Sequence, residues 1–192
     1  MKIILLHMMI IIGTTSYCQS TKTILSELEN KWETDENGDV TFTRIVELPN
    51  LSKEQIFNRA IAYYRKHYGN AQSVQQTKDE NKFIIIRKAM YENIHAGYNN
   101  KVNHLNAWHV LTFHARDNFA EIHLTLTEYE QIVEKYLRSK DEDVDKIAKS
   151  KVRDNYPVNL GGAQKTVMAK TFYKTYKAAM VSLDAIANGI AQ

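Results

Sequence analysis

Hydrophobic and polar positions change period several times along this chain, and each change marks an element. Residues 3–12 are an apolar run broken only by His7. Ile24, Leu25, Leu28 and Trp32 then recur at helical spacing inside a polar stretch, which predicts a short docking helix or a mobile leader. Asn37-Gly38 signals a type I′ turn that pairs residues 31–36 back on the next segment. In that segment the period is two. Val40, Phe42, Val46 and Leu48 face one side, with Arg44 the exception, while Thr41, Thr43, Ile45 and Glu47 face the other. Ser52 as N-cap, Gln55 closing a capping box and Leu51 stapled to Ile56 then open a helix. Its inner side carries Phe57, Ala60, Ile61, Tyr64 and Tyr68, and Gly69-Asn70 ends it.

The next signals are β. Residues 73–77 predict a strand, 78–81 a turn and 83–88 a strong apolar strand, with a loop over 93–103. Residues 106–115 and 119–127 form a hairpin around Arg116-Asp117-Asn118, placing Leu111 and Phe113 opposite Ala120, Ile122 and Leu124. The charged stretch 129–160 suggests one helix through Ile132, Val133, Tyr136 and Leu137 and another through Val144, Ile147 and Val152, before Gly161-Gly162 breaks the chain. A final helix near 163–190 carries Met168, Phe172, Tyr176, Ala179, Leu183, Ile186 and Ile190 at spacings of three and four. The order strand, helix, four strands, long helix predicts an α+β domain. Its antiparallel sheet carries both helices on one face and leaves the other open.

At this point the chain resembles a family of exported bacterial domains of unknown function with a TATA-binding-protein-like (TBP-like) fold. The resemblance lies in Asn37-Gly38-Asp39-Val40, Arg44-Ile45-Val46-Glu47-Leu48-Pro49, Leu51-Ser52-Lys53-Glu54-Gln55-Ile56 and the strand over 82–88. It spans residues 32–127 and, more loosely, the last helix. These motifs are turn, strand and cap, so the resemblance implies a fold and supplies no catalytic residues. Residues 129–160 read as an expansion of the core.

The apolar run acquires meaning from its flanks. Met1-Lys2, the run itself and the small polar exit Gly13-Thr14-Thr15-Ser16 are the parts of a secretory signal, and the run is too short to span a bilayer. The expected organisation is a signal over 1–18, a leader over 19–38 and one domain over 39–192. Ser16 and Cys18 at the −3 and −1 positions favour cleavage before Gln19, giving a periplasmic or extracellular protein. The alternative is an outer-membrane lipoprotein acylated at Cys18, where the bulky Tyr17 departs from the usual small residue. Cys18 is the single cysteine of 192 residues, so cleavage leaves no thiol for a disulfide, a nucleophile or a metal.

Composition narrows the chemistry further. With 25 basic and 22 acidic residues the chain has no cationic arm for nucleic acid. Five of the seven histidines, His95, His104, His109, His114 and His123, cluster in sequence. Parity places His109 on the apolar face, while His114 and His123 form a diagonal pair roughly 7–8 Å apart on the other face beside Glu121. Zinc needs three or four converging ligands, and no HExxH spacing is present. No phosphate loop or nucleophile elbow appears either, and no cofactor is implied. The open face, with Trp108, Thr112, His114, Glu121 and His123, is therefore the candidate ligand surface for a protein, peptide or glycan. The expectation is a non-enzymatic binding or envelope-associated module; membrane contact requires lipidation at Cys18. The alternative is a metal-dependent hydrolase centred on His114, Glu121 and His123.

Overall fold

The computed structural model describes residues 21–68, 75–94, 103–133, 146–160 and 165–192. The signal with Cys18 and Gln19, the stop at Gly69-Asn70, His95 and Gly161-Gly162 lie outside them. The leader is a docking helix, α1 (Thr21–Leu28), whose Ile24 and Leu28 are buried against the C-terminal helix. A two-residue strand β1 (Glu33–Thr34) pairs back on β2 (Val40–Glu47). The connecting turn differs from the type I′ expectation. Gly38 alone has positive φ, at 77°, whereas type I′ needs left-handed backbone at both central residues. Asp35 builds the turn instead, accepting Gly38 N–H on its carbonyl and Asn37 and Asp39 N–H on Oδ1, each at 2.9 Å.

Helix α2 (Lys53–Tyr68) begins with the expected capping box: Ser52 N–H donates to Gln55 Oε1 at 2.8 Å, and Gln55 N–H to Ser52 Oγ at 3.4 Å. Strands β3 (Gln75–Asp79), β4 (Ile84–Tyr91), β5 (Asn103–Arg116) and β6 (Phe119–Val133) come next. The sheet order is β1-β2-β6-β5-β4-β3, antiparallel throughout. The β5–β6 turn also fixes the entry to α2. Asn118 N–H donates to the Leu51 carbonyl at 2.9 Å, and Asp117 Oδ1 accepts from Lys53 N–H at 2.9 Å.

Two departures matter for the functional surface. First, β5 and β6 run beyond the hairpin, through a bulge at which Trp108 pairs with Glu128 but His109 with Leu126. Thr127 is the extra residue, so the buried parity of β6 switches from Ala120, Ile122, Leu124 and Leu126 to Tyr129. Second, the described part of the 129–160 stretch is not helical as expected. Ile132 and Val133 end β6, and residues Lys146–Lys151 form strand β7, paired with Glu128–Val133 and leading into a single 3-10 turn over Val152–Asp154. Apolar residues at mixed spacing settled as strand because the long β6 edge offers backbone partners there. Tyr136, Leu137 and Val144 lie outside the described residues.

Helix α3 (Lys165–Ala191) closes the core with Met168, Phe172, Ala179, Leu183, Ile186 and Ile190 buried as the spacing requires. Thr171 and Thr175 are buried too, because each hydroxyl donates to the carbonyl one turn back, Val167 or Thr171, at 2.9 Å. Phe172 is a hub, its ring 6.1 Å from Phe42, 6.3 Å from Trp32 and 5.8 Å from Tyr156. Gly189 permits close approach of the helices, since a Cβ there would collide with the Tyr63 ring. Both α2 and α3 pack on the sheet face that carries Phe42, Leu111, Phe113, Ile122 and Leu124. Arg44, the polar exception on that face, reaches its edge and pairs with Asp184 of α3.

Candidate functional site

The alternation that buries Val40, Phe42, Leu111, Phe113, Ile122 and Leu124 turns their neighbours outward, and the register aligns them in rows across the open face. One row runs Ile45, Glu121, His114, Ile84; the next Thr43, His123, Thr112, Ile86; the third Thr41, Thr125, Val110, Lys88. Past the bulge, Trp108 lies between Glu128 and Met90, and Asn106 beside Glu130. Four of the five site candidates thus come together and Trp108 stands apart, with the Val110 row between it and Thr112.

In the first two rows His114 is opposite Glu121 and Thr112 opposite His123, so the two imidazoles are the expected diagonal pair. His123 Nδ1 is 3.1 Å from Thr43 Oγ1, and its Nε2 is 4.0 Å from Glu121 Oε2. Burial holds the His114 imidazole below the usual histidine range; Arg116 and His123 push the same way against Glu121. Among the described residues no three His, Cys, Asp or Glu side chains gather as metal ligands. His109 lies on the other face of β5, as parity required. It is 6 % exposed, stacked on Tyr91 at 4.2 Å, and burial drops its pKa to about 4.

The rows flank this polar centre with apolar side chains that nothing among the described residues covers. Ile45 is 62 % exposed and Ile86 41 %. Among the described residues of the insert, β7 joins the sheet edge-on, and Val152 and Tyr156 beyond it are buried in the core, Tyr156 against Phe172.

Trp108 belongs to a different assembly. Its Nε1–H donates to Glu130 Oε2 at 3.3 Å, and Asn106 Nδ2 donates to Glu130 Oε1 at 3.2 Å. From β7, Lys149 pairs with Glu128 at 3.4 Å and Glu130 at 3.3 Å, and Lys151 with Glu128 at 3.4 Å. Lys88 and Lys149 place their ammonium groups 5.2 and 5.9 Å from the Trp108 ring centroid. Burial alone would raise the Glu130 pKa, but the hydrogen bonds from Asn106, Trp108 and Lys149 outweigh it and hold the carboxyl below its usual range. Sequence reasoning passed over Lys88, Asn106, Glu128, Glu130 and Lys149. The available signal was the pair of period-two charges, Glu128/Glu130 and Lys149/Lys151, which match only once β7 is recognised as a strand.

Comparison with solved structures places this architecture. A TBP-like protein from Parabacteroides distasonis superposes with a TM-score of 0.57 at 20% sequence identity, covering 80% of this chain and 96% of that one. A DUF4468 family protein from Bacteroides ovatus gives 0.61 at 14% identity, covering 85% and 92%. The fold is TBP-like. Residues 42–130 match DUF4468, a domain of unknown function with TBP-like fold, which is the family the turn, strand and cap motifs resemble. The matched segment ends at Glu130, so β7 and its lysines lie beyond it, while Glu128 and Glu130 lie within. No curated protein matches the chain.

Proposed function

We propose that this TBP-like domain is a non-enzymatic recognition module that receives a protein or peptide partner on its open sheet face, at the end bounded by Ile45 and Ile86. The observation that carries the reading is their exposure, 62 % and 41 %, beside the Thr, His and Glu side chains of the same two rows. An apolar rim around hydrogen-bonding groups suits a polypeptide surface. A glycan fits less well, because the Trp108 ring already has ammonium groups beside it. Nucleic acid fits poorly as well: Lys149 and Lys151 are engaged by Glu128 and Glu130 rather than presented to phosphates. The signal-like sequence over 1–18 supports action outside the cytoplasm, with a membrane tether only if Cys18 is acylated.

Val181 of α3, 70 % exposed, is the natural control for Ile45. A photo-crosslinking residue at Ile45 in the producing cell should give discrete protein adducts that Ile86→Asp abolishes, and the same probe at Val181 should not. Equal labelling at the two sites, or none at Ile45, removes this reading. The alternative metal-dependent hydrolase requires His114, Glu121 and His123 to converge on one ion, and stoichiometric zinc lost on His123→Ala would restore it.

A further inference from the structure

The chain contains the dipeptide Asn-Gly twice, at Asn37-Gly38 in the β1–β2 turn and at Asn188-Gly189 in α3. Glycine after asparagine leaves the peptide nitrogen sterically open to attack on the asparagine side-chain carbonyl. The two backbone contexts treat that nitrogen differently. Gly189 N–H lies in the helical ladder, and its Cα is pressed against the Tyr63 ring. Asn37 is exposed, and no hydrogen bond holds its side-chain amide among the described residues. Gly38 Cα is open, with Arg153 side-chain carbons 4.0 Å from where a Cβ would stand. Arg153 Nη1 donates to the Asn37 carbonyl oxygen at 2.6 Å. That oxygen belongs to the same peptide unit as Gly38 N. When this peptide loses its proton, the negative charge is shared onto the oxygen the guanidinium contacts, so Arg153 stabilises the nucleophilic form.

We propose that Asn37 is a built-in deamidation site, activated by Arg153, while Asn188 is protected. Base removes the Gly38 amide proton and Gly38 N bonds to Asn37 Cγ. The bond from Cγ to the side-chain nitrogen breaks, and that nitrogen leaves as ammonia with a proton from solvent. Water then opens the cyclic imide at either carbonyl, giving aspartate or an isoaspartyl linkage. The brake is the Gly38 N–H bond to the Asp35 carbonyl at 2.9 Å, which a transient opening of the turn must release. Either product adds a carboxylate beside Asp35, Glu36 and Asp39. The isoaspartyl form also lengthens the main chain inside the turn that joins β1 to β2 and, through Arg153, to the end of β7.

The test is peptide mapping by mass spectrometry after incubation of the folded protein at mildly alkaline pH, with the same chain in urea as reference. In urea the two sites should convert at comparable rates. In the folded protein Asn37 should convert first and Asn188 should be suppressed severalfold. Arg153→Gln should slow conversion at Asn37 severalfold in the folded protein and leave the urea rates unchanged. Conversion of Asn188 ahead of Asn37 overturns the site, and a folded Arg153→Gln rate that is equal or faster overturns the role of Arg153. Circular dichroism on Arg153→Gln establishes that both comparisons are made on folded protein.

Discussion

Two faces of one sheet, built from alternate residues of the same strands, have opposite characters here. Phe113 on the helix side of β5 is fully buried, and Thr112 beside it looks outward next to His123. His109 and His114, five residues apart on that strand, show the same split. One is stacked in the core and held neutral; the other sits half-buried beside a carboxylate. The lesson is that side-chain chemistry on this sheet follows position parity and cover rather than residue type. The helix side gains from exclusion of water, whereas the open side keeps its groups available to a partner.

The largest break of this contrast is expected from Phe113→Ala, which empties a large volume under α2. It should destabilise the fold by about 3–5 kcal/mol in chemical denaturation. A cost below about 1 kcal/mol would mean the helix side is not the core described. Next comes acid. His109 titrates at about 4 when folded and near 6.5 when unfolded. Between those values the unfolded chain binds the extra proton, so stability is full above the unfolded value and is lost as pH falls through the folded one. The loss reaches about 3 kcal/mol. Arg87, buried on the same face, opposes the imidazolium further. Denaturation series at several pH values should show this slope, and His109→Gln should flatten it. The smallest effect belongs to the open face: Ile45→Thr should change stability by less than about 0.5 kcal/mol. A larger cost would show that Ile45 is structural, and would weaken its assignment to a partner.

Much of the architecture is legible before any coordinates. The alternation of Val40 and Phe42 with Thr41 and Thr43, the Ser52–Gln55 capping box, the pairing of Leu111 and Phe113 with Leu124 and Ile122, and the stripe from Met168 to Ile190 are all local patterns. Each needs only its own residues to be read. The candidate surface was legible in part, because Thr112, His114, Glu121 and His123 keep one parity within an unbroken hairpin. Trp108 shares their face of β5 but stands apart from them, because the network around its ring depends on strands far away in sequence.

The sequence by itself therefore determined which residues form helices and strands in the core, which side of each is apolar, and that His109 and His114 must part. Only the tertiary structure decided the bulge at Thr127, the conversion of the 129–160 stretch into an added strand and the capture of Trp108 by Glu130. The physical reason is range. Periodicity and capping report on neighbours within a turn or a strand, whereas a strand edge takes its partner from whatever segment reaches it, and a partly buried carboxylate draws in any donors that can satisfy it.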